Sequence, residues 1–347
     1  MKERKAKGIC HEGSTRGDMI SKLPESLISR ILLYLPTKEV VRTSVLSNKW
    51  KSVWLLVPEL GLDSSEFPDY NAFVSFMDRF LDFYREEKSC LDKLELRIRK
   101  DKNDQSCVTR WIDFVATHKV KRLDVEYLYV HRKCFEVMPV SLYVCETLLY
   151  LRLNRVFVGS FESVSLPRLK TMSLEKNLYA NATGLESLIS SCPVLEDLSI
   201  IRRLDDNVKV LRVLSQTITT LRIGFDRSGD HGFFYFNWET LALFMGLTYS
   251  MVKTKQMTVS SVPQCLLSSL EFVDIKSQCQ AELVAMELAK YFAENSAILK
   301  KLVLSWKGSN SILEEDSVLR DLLALLKQPS KCQIEVCGPL KRLVSGS

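Results

Sequence analysis

A triplet of one polar residue between two apolar ones recurs along most of the chain. It reads Leu94-Glu95-Leu96, Leu123-Asp124-Val125, Leu151-Arg152-Leu153, Met172-Ser173-Leu174, Leu198-Ser199-Ile200, Leu221-Arg222-Ile223, Val273-Asp274-Ile275 and Leu302-Val303-Leu304. The steps are 29, 28, 21, 26, 23, 52 and 29 residues, and a weak copy, Met257-Thr258-Val259, falls inside the long one. Alternation with period two predicts strands that bury one face. A leucine stands upstream of several strands: Leu91, Leu148, Leu169, Leu195, Leu270 and Leu299. Repeats of this length each cover a neighbour's apolar face, so the predicted architecture is an irregular strand-and-helix solenoid of the α/β class.

Other segments carry helical spacing. Phe73, Phe76, Met77, Phe80, Leu81 and Tyr84 form one stripe, expected to cover the open first strand. Val108, Trp111, Ile112 and Val115 form another, and Leu185, Leu188 and Ile189 a third that ends at Ser190-Ser191-Cys192-Pro193. Ala281, Val284, Ala285, Leu288 and Phe292 predict a helix in the C-terminal block, with helical spacing again over 318–326. Pro58–Asn71 collects Pro, Gly, Ser and Asp and reads as a boundary loop. The aromatic stretch His231–Lys255 reads as a buried irregular repeat, with an inserted recognition loop as the alternative.

Ahead of that loop, Asp18–Pro58 holds three short helix signals. Pro24 is placed to open the first, on which Leu23, Leu27, Ile28, Ile31, Leu32 and Leu35 recur, and Pro36 stops it. Thr37 is the expected cap of the second helix and Ser47 of the third. Leu46, Trp50 and Trp54 are expected to share a face. So short a segment barely buries that much apolar surface by itself, which predicts a face kept for another protein.

Those residues resemble the F-box. The match runs through LPESLISRILLYLPTKEVVRTSVLSNKWKSVW, with the Leu-Pro opening, the second proline and the Lys-Trp ending in register. LDKLEL, LLYLRL, LEDLSI and LKKLVL have the L-x-x-L-x-L spacing of leucine-rich repeats, although the asparagine of the usual repeat turn is mostly missing and Asn154 is its nearest candidate. Ser-Cys-Pro at 191–193 resembles the repeat motif of plant F-box proteins, where the cysteine packs inward. The C-terminal block resembles the FBD domain through Pro263, Cys265-Leu266, Leu270-Glu271, Glu287, Ala289, Tyr291, Asn295, Leu299-Lys300-Lys301-Leu302, Cys332 and Ile334. The implied organisation is a basic disordered tail (1–17), an F-box (18–58), a leucine-rich-repeat-like solenoid (59–262), an FBD block (263–337) that caps it, and a short tail (338–347).

Composition narrows the function. Net charge is +6, half of it within the first seventeen residues, too little elsewhere to argue for nucleic-acid binding. No apolar run is long enough to span a bilayer and the start lacks a secretory core, which predicts cytoplasm and/or nucleus. The ten cysteines form no CxxC pair and are expected to be reduced. Gly-rich phosphate loops, a GxSxG elbow and His/Cys ligand spacings are all missing from the sequence, so no catalytic residue, metal or cofactor is assigned.

The resemblance then implies a non-catalytic substrate receptor of an SCF-type cullin–RING ubiquitin ligase. It docks on a Skp-like adaptor, reaches the cullin and RING subunit indirectly, and holds an unidentified target protein. The expected docking residues are Leu23, Pro24, Leu27, Ile28, Ile31, Leu32, Leu35, Pro36, Val40, Val45, Leu46, Trp50 and Trp54, some of which must pack the helices together. Leu23 and Pro24 are the preferred contact pair. The expected substrate-facing residues are the polar strand centres Glu95, Asp124, Arg152, Ser173, Ser199 and Arg222. A ligand-dependent, hormone-like receptor and an F-box scaffold outside any ligase are the alternatives.

Overall fold

The computed structural model of the chain describes residues 20, 22–47, 49–87, 91–101, 104, 106–129, 134–159, 163–203, 206, 208, 213, 215–226, 247–248, 258–259, 264–278, 282–307 and 332–337. The aromatic stretch 231–255 and the helical spacing over 318–326 lie largely or wholly outside the described residues. The chain divides into two compact units, Met1–Glu59 and Leu60–Ser347.

In the first unit, α1 (Glu25–Leu32) and α2 (Thr37–Arg42) are followed by a 3-10 turn (Thr43–Val45), a single helical turn α3 (Trp50–Val53) and a further 3-10 turn (Trp54–Leu56). The prolines, and not the hydroxyl residues, stand at the helix starts. Pro24 and Pro36 occupy the N-cap positions with extended ψ of 146°, and neither helix has a side-chain cap. A proline has no N–H to leave unpaired, and its fixed φ of about −60° leads directly into a helix. Thr37 is therefore the first helical residue and not the cap, and Lys49 stands where Ser47 was expected.

Ile28, Leu32, Val40, Trp50, Val53 and Val57 form the unit's core, with Leu23 and Trp54 packed against it. Lys49 Nζ donates to the Leu23 carbonyl at 2.6 Å, tying the start of the segment to α3. The 3-10 turn shifts the helical phase, so Leu46 faces out while Trp50 is buried. The expected common face of Leu46, Trp50 and Trp54 does not form.

The second unit contains a ten-stranded sheet in the order β1-β2-β3-β4-β6-β8-β9-β12-β13-β14. Its strands are β1 (Glu59–Asp63), β2 (Lys93–Arg99), β3 (Arg122–Tyr129), β4 (Tyr150–Asn154), β6 (Thr171–Glu175), β8 (Asp197–Arg203), β9 (Thr220–Asp226), β12 (Phe272–Gln278), β13 (Lys301–Lys307) and β14 (Gln333–Cys337). The short strands β5 (Phe157–Val158) and β7 (Leu178–Tyr179) pair with each other, as do β10 (Leu247–Thr248) and β11 (Thr258–Val259). From β2 to β14 every pair in the large sheet is parallel. β1 lies inside the stretch read as a boundary loop, because Leu60 is buried despite its Pro/Gly/Ser-rich surroundings.

The triplets supply the register. Leu94, Leu123, Leu151, Met172, Leu198, Leu221, Val273 and Leu302 form one continuous row, and Leu96, Val125, Leu153, Leu174, Ile200, Ile223, Ile275 and Leu304 form the next. All sixteen are buried. So are the upstream leucines Leu91, Leu148, Leu169, Leu195, Leu270 and Leu299.

One backbone device repeats at each step. The carbonyl of the residue just before a strand (Asp92, Lys121, Leu149, Lys170, Glu196, Thr219, Glu271) accepts two N–H groups from the start of the next strand, at 2.8–3.2 Å. The C-terminal block continues this pattern through Lys300 and Gln333. Its described strands thus extend the same sheet at its C-terminal end.

Helices occupy connections between strands. α4 (Tyr70–Glu87) meets α5 (Val108–Thr117) through an edge-to-face contact of Phe73 with Trp111, ring centroids 5.5 Å apart. Trp111 Nε1 donates to Asp78 at 2.8 Å. α6 (Ala182–Ser190) is capped by Asn181, whose side chain accepts from the Gly184 N–H at 2.7 Å. Cys192 is buried just past its end and donates to the Leu188 carbonyl.

The repeat-turn asparagine is Asn177 and not Asn154. Asn177 is fully buried in the turn after β6; it accepts from the Val156 N–H and donates to the Leu153 carbonyl, both at 3.0 Å. Asn177→Ala leaves both backbone groups without these partners. The expected cost is about 2–4 kcal/mol, read as a lower urea midpoint, with lost hydrogen-exchange protection at the Val156 amide.

Candidate functional site

Two surfaces carry the candidate residues, one on each unit. On the first, burial divides the thirteen expected docking residues. Ile28, Leu32, Val40 and Trp50 lie in the core, and Leu23 and Trp54 are half-buried against it. These residues hold the helices together. Pro24, Leu27, Ile31, Leu35, Pro36, Val45 and Leu46 are exposed, with Val45 and Leu46 at 85% and 63%. Leu33, Leu56 and Tyr34 are exposed as well, Tyr34 at 90%. Counting only helical periodicity passed over Tyr34, because the helix ends at Leu32 and the next residues turn outward. A core of six residues against this many exposed large apolar side chains is the burial shortfall the short segment implied. Leu23→Ala is a poor probe of contact, since it also removes packing.

On the second unit, all six expected substrate-facing residues fall on one row across the sheet. Glu95, Asp124, Arg152, Ser173, Ser199 and Arg222 are successive register partners, and the row runs on through Asp274, Val303 and Glu335. Ser173 and Asp274 are buried; Glu95, Asp124, Arg152, Ser199 and Arg222 are half-exposed. The row two residues further along starts with Arg97, Glu126, Asn154 and Glu175. Sequence reading missed Glu126, Asn154 and Glu175, although the same period-two alternation points to them.

Arg152 is the hub where the two rows meet. Its Nη1 donates to Asp124 Oδ1 at 3.1 Å and Glu126 Oε2 at 3.2 Å. Its Nε and Nη2 take both oxygens of Glu175 at 3.1 and 3.2 Å. Ser173 Oγ donates to Glu175 Oε1 at 2.9 Å, and Asn154 Nδ2 reaches Glu126 and Glu175 at 3.3 Å each. Burial pushes the Asp124 carboxyl above its ordinary value even with Arg152 beside it. Burial acts in the same direction on Glu175, but the Arg152 guanidinium and Ser173 outweigh it and hold that carboxyl low. Further along, Arg222 pairs with Asp197 at 2.5 Å and lies over the Phe272 ring.

Among the described residues no group of His, Cys, Asp and Glu is arranged to hold a metal ion, and no helix is long and apolar enough to cross a membrane. Cys107, Cys145, Cys192 and Cys265 are free and buried; burial pushes the Cys107, Cys192 and Cys265 thiols up, Cys192 to about 12, away from nucleophilic use.

Comparison with known proteins follows the same division. The F-box domain model matches residues 20–60, a Leucine Rich Repeat model residues 168–193 and the FBD model residues 258–304. An FBD-associated F-box protein of Arabidopsis thaliana is 43% identical, the alignment covering 92% of this chain and 91% of the relative. The chain belongs to the FBD-associated F-box proteins. A second family member from the same plant is 42% identical over 92% of the chain and 94% of its own length. A putative F-box/FBD/LRR-repeat protein, also from Arabidopsis, is 39% identical over 98% and 93%. The first alignment spans 439 positions, more than the 347 residues available here, so that family member carries residues with no counterpart in this chain.

The Arg152 hub generates a prediction about pH. Glu175 is held low in the folded chain, so its contribution is present above the ordinary value of 4.5 and is lost as pH falls through its folded pKa. Arg152→Met leaves Asp124, Glu126 and Glu175 facing one another. The variant is expected to melt below the parent at pH 7, and the gap to narrow as pH falls below 4.5 and Glu175 protonates. Thermal melts across that range measure it.

Proposed function

We propose that this protein is the substrate-receptor subunit of an SCF-type cullin–RING ubiquitin ligase. The exposed apolar face of the F-box segment carries the reading, because six core residues do not account for Tyr34, Val45, Leu46 and their neighbours. A Skp-like adaptor is the partner that the F-box match implies. Cullin and the RING subunit join through it. The face would supply the apolar anchors that concentrate interface energy.

We read the ten-stranded sheet as the wall of a leucine-rich-repeat solenoid, with the row from Glu95 to Arg222 turned toward the target protein. The receptor itself does no chemistry. It raises the local concentration of target lysines near the charged conjugating enzyme. The proposed setting is the cytoplasm, the nucleus or both.

The test is co-purification of the full chain with a Skp-like adaptor and cullin. Val45→Asp with Leu46→Asp, both outside the core, is expected to weaken adaptor capture by at least about 30-fold without changing the melting temperature. Val40→Asp, inside the core, is expected to unfold the segment and lose capture indirectly. Undiminished capture by the Val45/Leu46 variant would remove the docking assignment.

A further inference from the structure

Pro24, Leu27 and Ile31 follow one another at spacings of three and four residues, and all three are exposed. Such spacing keeps them on one side of α1. They make up the first part of the exposed face, and Val45 and Leu46 lie on the part beyond α2. Ile28 and Leu32 anchor the body of α1 in the core. Pro24 stands ahead of them, at the N-cap, with its own ring in solvent.

Lys49 acts at this unanchored end. Ser29, Arg42, Thr43 and Trp54 each bond to a group three residues back, within one helical turn. Lys49 Nζ instead reaches 26 residues back, to the Leu23 carbonyl at 2.6 Å. That carbonyl belongs to the peptide unit joining Leu23 to Pro24. A peptide unit is planar, so its oxygen and the proline nitrogen turn together. Proline also confines the residue before it to extended conformations. A hydrogen bond to the Leu23 oxygen therefore sets the plane from which the Pro24 ring projects. The donor is charged, which puts the bond among the stronger ones.

The other end of the bond is equally fixed. Lys49 immediately precedes Trp50, which is buried at the start of α3. Its backbone is held by the core, and its side chain carries that fixed position across to the entry of α1.

We propose that Lys49 is a positioning residue for adaptor binding, acting through Pro24. It holds the proline ring in line with Leu27 and Ile31, so that the entry and α1 meet the adaptor as one surface. This rests on reading the exposed F-box face as the adaptor-docking surface.

Kinetic binding of the full chain to an immobilised Skp-like adaptor tests it. Lys49→Met keeps the aliphatic stem and removes the donor. It is expected to weaken binding about tenfold, the scale of one hydrogen bond from a charged group, chiefly through faster dissociation. Lys49→Arg keeps a charged donor and is expected to recover most of the loss. Val57→Ala thins the core, and is expected to lower the melting temperature with little change in affinity. A lysine that only stabilised the fold would behave like Val57→Ala.

A double-mutant cycle with Pro24→Ala supplies the readout that a purely structural role would not move. With the ring gone, Lys49→Met is expected to cost less than about twofold. A full tenfold loss in the Pro24→Ala background overturns the proposal, and so does undiminished binding by Lys49→Met in the parent. The variant carrying Val45→Asp and Leu46→Asp is run beside it. Loss of binding by that variant, with Lys49→Met unaffected, sinks the positioning assignment alone. Undiminished binding by both sinks the docking reading and the assignment with it.

Discussion

The carbonyl just before each strand fixes the second unit. By accepting two N–H groups from the next strand's start, it sets where that strand begins to within one residue. A slip of one residue would turn every side chain to the opposite face. Once the start is set, the two leucine-rich rows line up and the polar row between them is placed without further instruction. Parallel neighbours need long crossover connections, and these are where the irregularity goes. Steps as unlike as 21 and 29 residues therefore give strands in the same register.

The first unit depends on the opposite condition, a core that is too small. Ile28, Leu32, Val40, Trp50, Val53 and Val57 fix the helices in place but leave most of the segment's large apolar side chains outside. Two prolines at helix starts and a lysine-to-carbonyl bond do the shaping that a larger core would otherwise do. One unit spends its apolar residues on internal packing; the other keeps them at the surface.

Strand positions and facing were readable in the sequence because alternation is a local property. The triplets named every strand from β2 to β13 except β5, β7 and β10, and all six polar centres fell on one row. Helix caps were misread, since a proline and a hydroxyl residue side by side both suit a helix start, and only backbone geometry decides between them. Tyr34 was beyond periodicity because α1 ends at Leu32, and Leu46 and Trp50 because a 3-10 turn changes the phase. Asn177 was legible at its spacing after Leu174 but was passed over for Asn154, which sits two residues too early in its own repeat to reach the turn. The charge balance around Arg152 depends on side chains from three strands, a long-range property that no single stretch of sequence displays.

The shared strand-start carbonyl has a consequence for how such proteins diverge. β9 hands on to β12 by the same bond that links β3 to β4, although their connection is 45 residues long and the other is 20. A link that ignores what lies between two strands lets a whole strand and its connection be added or removed with the remaining side chains still facing the same way. Relatives that carry residues with no counterpart here can therefore differ in the number of strands in this sheet while leaving the F-box segment untouched. On the proposed reading of the strand row as the target surface, its extent would change by adding or dropping complete units, one strand's width at a time, before any contact residue mutates.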